Sequence, residues 1–226
     1  MDSAKPEKVT ESLTIFQKKG VFSYGTDAVL LADFVSENVT APGTKKMCDI
    51  CSGTGIISLM LCDRHPGLQA VGIEINPESA ALSEESAKIS GLAERYSVFC
   101  RDLKDAKTFL KNEEFDFVTC NPPYMTNDCG RMCADERINA ARHEIFCTID
   151  DAFAAAFYLL RTGGCAYFVY RSDRLSDFMS AAKNNRFEIK DLRFYRLKKT
   201  SEQCDLFVCK AKKNASPGMK VSCRLF

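Results

Sequence analysis

Apolar and polar positions along this chain alternate between two rhythms. Dense apolar runs occur at residues 46–51 (KMCDIC), 69–75 (QAVGIEI), 96–100 (YSVFC), 115–120 (FDFVTC) and 165–170 (CAYFVY). Their shortness and their Val, Ile, Phe and Tyr content mark buried β-strands. Between them, apolar residues return every three or four positions at 55–65, 76–92, 151–164 and 174–185. That spacing forms one face of an α-helix. Asn76 is suited to cap the helix that Pro77 opens and Gly91 to end it, and Gly163-Gly164 would close the helix from 151. Two further strand-like runs, 187–197 and 204–211, lie close enough in the chain to be antiparallel neighbours.

Strand–helix alternation predicts an α/β fold with a mostly parallel sheet covered by helices on both faces. Five strand–helix units and a terminal antiparallel hairpin make seven strands. One domain is expected, with residues 1–45 as an N-terminal extension, 46–210 as the core and 211–226 as a basic tail. In such a sheet the ligand crevice lies beyond the carboxyl ends of the strands.

Composition changes this picture little. At 46% hydrophobic and 27% charged residues, the chain has the make-up of a soluble globular domain. No apolar stretch approaches the ~20 residues of a membrane span. The polar start, MDSAKPEKVTESL, has no signal-peptide character, so a cytoplasmic location is expected. Twelve cysteines are many, but Cys48, Cys100, Cys120 and Cys165 sit in strand-like runs, where Cys acts as a small buried hydrophobe. Cys48 and Cys51 have C-x-x-C spacing. No second pair or nearby His completes a metal set, and on a strand the two would point to opposite faces. No metal site is expected.

Charge is more informative. The net charge is +1, yet residues 171–226 hold 14 Lys/Arg against 6 Asp/Glu. A basic C-terminal third is what an anionic polymer would select, and equally what a solvated lysine-rich face would show.

The strand ends carry the candidate chemistry. After the first predicted strand, Gly53 and Gly55 would admit a ligand close to the backbone or simply make a tight turn. A dinucleotide fingerprint would place Gly or Ala where Ser58 stands. Glu74 ends the second strand, 25 residues beyond Asp49, where an acid can hold ribose hydroxyls or serve the following helix N-terminus. Asp102 follows the third strand, placed to accept an adenine amine or to act as a loop residue. After the fourth come Asn121-Pro122-Pro123-Tyr124. There the Asn121 side-chain oxygen and the Pro122 carbonyl are two acceptors in one stiff corner, with the Tyr124 ring beside them. Such a corner can clamp a planar group bearing an NH₂ and favour the transition state of attack by that nitrogen.

With Gly53-x-Gly55, Glu74, Asp102 and NPPY after successive strands, the chain resembles the Rossmann-like class I S-adenosylmethionine-dependent methyltransferases. It is similar to their small-domain NPPY branch, which methylates amino nitrogens. The likeness covers roughly residues 20–210, including FSYGTDAVLLADF (22–34) and AARHE (140–144). Within that branch the chain is similar to the bacterial valine-tRNA adenine N6-methyltransferases. The resemblance implies S-adenosylmethionine as cofactor. Asp49, Gly53 and Gly55 would line its methionine part, Glu74 its ribose, and Asp102 with the Leu103 backbone its adenine, with Thr26 closing over it. Asn121 and Pro122 would hold the target amine, with Asn121 also bordering the cofactor, and Tyr124 would stack on the target base. One departure is Cys51-Ser52, where the family's loop begins with glycine.

Three substrates suit an NPPY corner: adenine in RNA, adenine in DNA, or a glutamine side-chain amide of a protein, with a guanine amine of rRNA as a further alternative. The chain lacks room for a DNA target-recognition domain, and about 45 residues precede the first strand of the core, too few for a separate helical domain. A tRNA anticodon loop is the expected partner. Contacts are expected from the 125–143 loop, with Arg131, Arg137, Arg142 and His143, and from Arg193, Arg196, Lys198, Lys199, Lys210, Lys212 and Lys213. Phe194 and Tyr195 could stack on bases, though on a strand one of them should face the core. A nicotinamide-dependent reductase and a non-catalytic RNA-binding protein are the alternatives from other classes.

Overall fold

A computed structural model describes residues 4–18, 24–39, 45–122, 147–197 and 202–225. Tyr124, the 125–143 loop, AARHE, Lys198 and Lys199 lie outside the described residues. The elements are β1 (Lys5–Lys8), β2 (Thr14–Gln17), α1 (Thr26–Asn38), β3 (Lys45–Ile50), α2 (Ile56–Arg64), β4 (Leu68–Glu74), α3 (Pro77–Ile89) and β5 (Tyr96–Cys100). They continue with β6 (Phe115–Cys120), α4 (Ile149–Leu159), β7 (Leu160–Arg171), α5 (Leu175–Asn184), β8 (Phe187–Arg196), β9 (Leu206–Lys213) and β10 (Lys220–Leu225). Every expected strand and helix is present.

The main sheet runs β10-β8-β9-β7-β6-β3-β4-β5. Neighbours from β7 through β5 are parallel, and β9 is antiparallel to both β7 and β8. The sheet therefore has eight strands, not seven. The eighth, β10, pairs with β8 in parallel and lies within the expected tail. All six of its residues are exposed. Backbone pairing to β8, the Arg224–Glu37 ion pair at 3.3 Å and the Cys223–Cys204 contact hold it, so core burial imposed no strong pattern on its sequence.

Alternation along the strands feeds two cores. Met47, Phe117, Tyr167 and Val169 face α1, α2 and α3. Cys48, Ile50, Val118, Cys120 and Phe168 face α4 and α5. On that second face Phe153, Phe168, Phe178 and Phe187 form a ring cluster with centroids 4.4–5.4 Å apart, a geometry that adds to simple area burial. Helix α4 stops at Leu159, five residues before the expected glycine cap. Leu160 already pairs with Phe115, and Cys165 with Phe117. The Gly163-Gly164 pair thus lies in an irregular stretch inside β7, where residues 161–164 oppose a single residue of β6.

The N-terminal segment is a hairpin, β1 with β2. Leu13 and Ile15 are buried. Backbone groups of β2 are met by serines of the α3 region: the Thr14 N–H donates to Ser90 Oγ at 3.0 Å and the Phe16 N–H to Ser86 Oγ at 2.8 Å. Those serines complete hydrogen bonds that a strand partner would otherwise make.

Candidate active site

The strand register aligns four carboxyl ends. Ile50 lies beside Ile73 and Cys120, and Glu74 beside Cys100. The glycine loop, Glu74, Asp102 and Asn121 therefore share one edge of the sheet.

Beneath the loop lies Asp49, fully buried. It is in register with Thr119 on one side and Gly72 on the other. Thr119 Oγ1 donates to its Oδ1 at 2.6 Å, and Ser58 Oγ donates to its Oδ2 at 3.1 Å. Burial pushes its carboxyl up to about 7, against the opposing effect of those two hydroxyls. Asp49 thus ties β3, β6 and the first turn of α2 together under the loop. The Ser58 that breaks a dinucleotide fingerprint is one of its partners.

The loop takes glycine conformations where it needs them. Gly53 and Gly55 have φ of +56° and +81°. A Cβ on Gly55 would stand 2.9 Å from Ser83 Cβ and 3.0 Å from the Tyr96 hydroxyl, and a Cβ on Gly72 would stand 2.7 Å from Ser52 Oγ and Tyr96 Oη. Gly55 and Gly72 leave room for Ser52, Ser83 and Tyr96 to pack under the loop, and Tyr96 Oη lies 3.2 Å from Ser83 Oγ. At the departure from the family pattern, Cys51 keeps a glycine-like φ of +59°, a conformation that costs an L-residue roughly 1 kcal/mol. Its Sγ lies 4.0 Å from Cys147 Sγ. Hydrogen bonding to Cys120 and burial hold the Cys51 thiol well above its ordinary value, which suits a packed group and not a nucleophile. Cys147 stands just before α4, whose N-terminus is closed by a capping box between Thr148 and Asp151.

Glu74 differs from Asp49. Its Oε2 accepts the Gly53 N–H and its Oε1 the Asn76 N–H, both at 2.8 Å. Burial raises its carboxyl, while these backbone donors oppose the shift. With the Ile75 N–H as a third backbone donor, the carboxylate still has acceptor capacity for one further donor. Asn76 caps α3 by accepting from Glu78 and Ser79. The next side chain, Ile75, is 46% exposed and offers an apolar surface to a flat ring. Asp102 Oδ1 accepts the Lys104 N–H at 2.9 Å. Leu103 is buried, and Thr26 is the exposed first residue of α1.

The fourth strand end brings in an unexpected partner. Asn121 is half-buried and Pro122 buried. Asn121 Nδ2 donates to Asp27 Oδ2 at 3.1 Å. Alternation turns Asn121 to the face of Thr119, where α1 begins. Asp27, Ser58, Thr119, Ile75 and Tyr96 were not among the residues expected at the site. Parallel alternation on β3 and β6 was the signal available for Thr119.

These residues fit S-adenosylmethionine. Two positive-φ glycines, a carboxylate with remaining acceptor capacity, an exposed apolar side chain and acidic groups that complement a cationic sulfonium stand along one edge of the sheet.

The basic C-terminal third is dispersed by the same topology. Arg193 is buried, pairs with Glu37 at 2.8 Å and lies 4.7 Å over the Phe34 ring. Lys213 is buried against Glu113 and the Leu160 carbonyl. Lys212 lies toward the amino end of the sheet, opposite Cys165 and Glu188, while Lys210 lies mid-strand opposite Tyr167 and donates to Asn38 Oδ1 at 3.3 Å. Both rings of the aromatic pair face a core, Tyr195 the α1–α3 side and Phe194 the opposite one, where it lies 5.9 Å from the Phe207 ring, so neither stands out to stack on a base. Arg196 ends β8 at the carboxyl edge.

The family described as Methyltransferase small domain matches residues 12–174. The tRNA1(Val) (adenine(37)-N6)-methyltransferase of Phocaeicola vulgatus is 30% identical over 196 residues, which cover 85% of this chain and 78% of that protein. The protein of that name from Porphyromonas gingivalis is 30% identical over 164 residues, 72% of this chain, and the chain spans 64% of that relative's length. Among solved structures, Atu636 of Agrobacterium tumefaciens, described as a predicted O-methyltransferase, shares the fold with a TM-score of 0.69 at 17% identity, covering 89% of this chain and 87% of that one. With the family match spanning most of the chain and the Asp49–Gly55, Glu74 and Asn121 strand ends sharing one edge of the sheet, this protein belongs to the methyltransferase small domain family.

Proposed function

We propose that this protein uses S-adenosylmethionine to methylate N6 of an adenine in RNA, with the anticodon loop of a valine tRNA as substrate. The observation that carries this reading is the position of Asn121 and Pro122 at the end of β6, one strand from the glycine loop and two from Glu74. The names of the relatives support the choice of base and RNA.

Bound S-adenosylmethionine would supply a methyl group activated by a positive sulfur, the C–S electron pair staying on sulfur in the leaving S-adenosylhomocysteine as the N–C bond forms. Glu74 would hold its ribose, Ile75 would lie against its adenine, Asp102 and the Leu103 backbone would meet the adenine amine, and Thr26 would cover it. Asp49 shapes the loop from below. The target amine has its lone pair drawn into the ring. Asn121 Oδ1 and the Pro122 carbonyl accept its two hydrogens, favouring a pyramidal nitrogen whose lone pair can attack. By the family resemblance, Tyr124 would stack on the base. The methylated amine then loses a proton to water. An adenine in a loop reaches this corner by leaving its stack at a cost of a few kcal/mol, least for an unpaired base. The enzyme works in the cytoplasm, where tRNA is modified.

The test is nucleoside mass spectrometry of an unmodified valine tRNA transcript after incubation with the protein and isotopically labelled S-adenosylmethionine. The expected product is N6-methyladenosine in the anticodon loop. Label in guanine, or in a protein glutamine with none in the transcript, would overturn the reading.

A further inference from the structure

We propose that Asp27 is a positioning residue that fixes which edge of the Asn121 amide faces the target. This inference rests on the reading of Asn121 as an acceptor for the target amine.

An asparagine amide has two edges of similar shape and opposite chemistry. Turning it over exchanges an acceptor oxygen for an NH₂ donor. Facing the target amine with the wrong edge would set donor against donor. The corner therefore needs a device that distinguishes the two orientations, and proline stiffness at Pro122 acts only on the backbone.

Asp27 has the required chemistry. An ionised carboxylate only accepts, so the amide edge 3.1 Å from Asp27 Oδ2 must be Nδ2. The carbonyl oxygen is then left on the opposite edge. A turned-over amide would bring oxygen against oxygen and exchange a charge-assisted bond for a repulsion.

Asp27 is itself anchored. Its Oδ1 accepts the Ala28 N–H at 2.9 Å, in the first turn of α1, where the helix dipole favours a negative charge. Gly25, just before the helix, leaves space for it: a Cβ there would stand 2.9 Å from Asp27 Oδ1. The two partners lie 94 residues apart in sequence and meet because α1 starts over the end of β6. The N-terminal segment thus contributes to the chemistry of the fourth strand end.

A purely structural role, as a helix N-terminal acid, predicts lost stability with no selective effect on turnover. The positioning role predicts a split. In steady-state assays with the unmodified valine tRNA transcript, Asp27→Asn should lower kcat about 10-fold. Its KM for the transcript and its Kd for S-adenosylmethionine should stay within about 2-fold of wild type, since one misdirected hydrogen bond acts on the transition state. Asn121→Asp sets two carboxylates face to face and should lose about 100-fold. The double variant Asp27→Asn/Asn121→Asp restores a donor facing an acceptor and should regain about 10-fold over Asn121→Asp alone. If Asp27→Asn does not fold, Asp27→Glu compared with Asp27→Gln repeats the test, with Glu the more active.

Unchanged kcat in Asp27→Asn, or a double variant no better than Asn121→Asp, overturns the positioning role. In either case a loss in Asn121→Asp leaves the amine-acceptor reading standing. Wild-type turnover in both Asn121→Asp and Asn121→Ala overturns both readings.

Discussion

The parallel centre of the sheet and its antiparallel flank handle polar groups in opposite ways. At the centre, strands β3, β4 and β6 all run one way, so Asp49, Glu74 and Asn121 accumulate at one edge. Each has a fixed partner on another element: Thr119 and Ser58, the Gly53 and Asn76 amides, and Asp27. On the flank, β8 and β9 run in opposite directions. Charges close together in sequence are sent to opposite edges, and two of them, Arg193 and Lys213, are drawn into the fold. Direction of strands, more than density of residues, decides where a site can assemble.

The largest effect expected at the centre is on Asp49. Its carboxyl has a folded-state value of about 7 against an ordinary 3.8, so the folded protein holds the proton more tightly than the unfolded chain. Stability from this group is therefore greatest below about pH 4 and falls as pH rises to about 7. Relative to Asp49→Asn, wild type should lose up to about 4 kcal/mol across that window, read from urea unfolding at a series of pH values. A constant difference between the two proteins would contradict the buried, two-hydroxyl environment.

Glu74 should act on binding. Glu74→Ala removes the ribose acceptor and frees the Gly53 amide. Calorimetry should show S-adenosylmethionine binding weakened about 100-fold, the scale of hydrogen bonds to a charged group. Affinity within a few-fold of wild type would place the cofactor elsewhere.

Much of this centre was legible in the sequence, because strand period and glycine–acid spacing are local signals. Gly53, Gly55, Glu74 and Asn121 stand at strand ends as expected. Ser58 and Thr119 were hidden because their meaning depends on Asp49, which they reach only through register. Asp27 was hidden by its 94-residue separation from Asn121. Strand β10 escaped although Val221, Cys223 and Leu225 alternate, because no burial accompanies that alternation. The early end of α4 followed from a competition that only the sheet reveals: Leu160 gains a strand partner in Phe115. On the flank, counting lysines could not reveal that Lys213 is buried.

Smaller effects sharpen the contrast. Cys51→Gly relieves an L-residue at positive φ and should raise stability by about 1 kcal/mol or less, measured as the urea midpoint. A loss of stability would mean that the contact with Cys147 outweighs the strain. Smallest of all, Lys212→Glu at the amino edge should leave affinity for the tRNA transcript within about 2-fold and its salt dependence unaltered, whereas loss of a phosphate contact lowers the salt slope by about 1. A reduced slope would show that RNA reaches around the flank after all.

The central claim is that Asn121 acts on the reacting amine and not on the cofactor. Single-turnover methyl transfer by Asn121→Ala, measured alongside calorimetry with S-adenosylmethionine, tests it most directly. The account predicts methyl transfer to the tRNA transcript slower by about 10²–10³-fold with cofactor affinity unchanged. Wild-type transfer, or a loss fully explained by weaker cofactor binding, would contradict it.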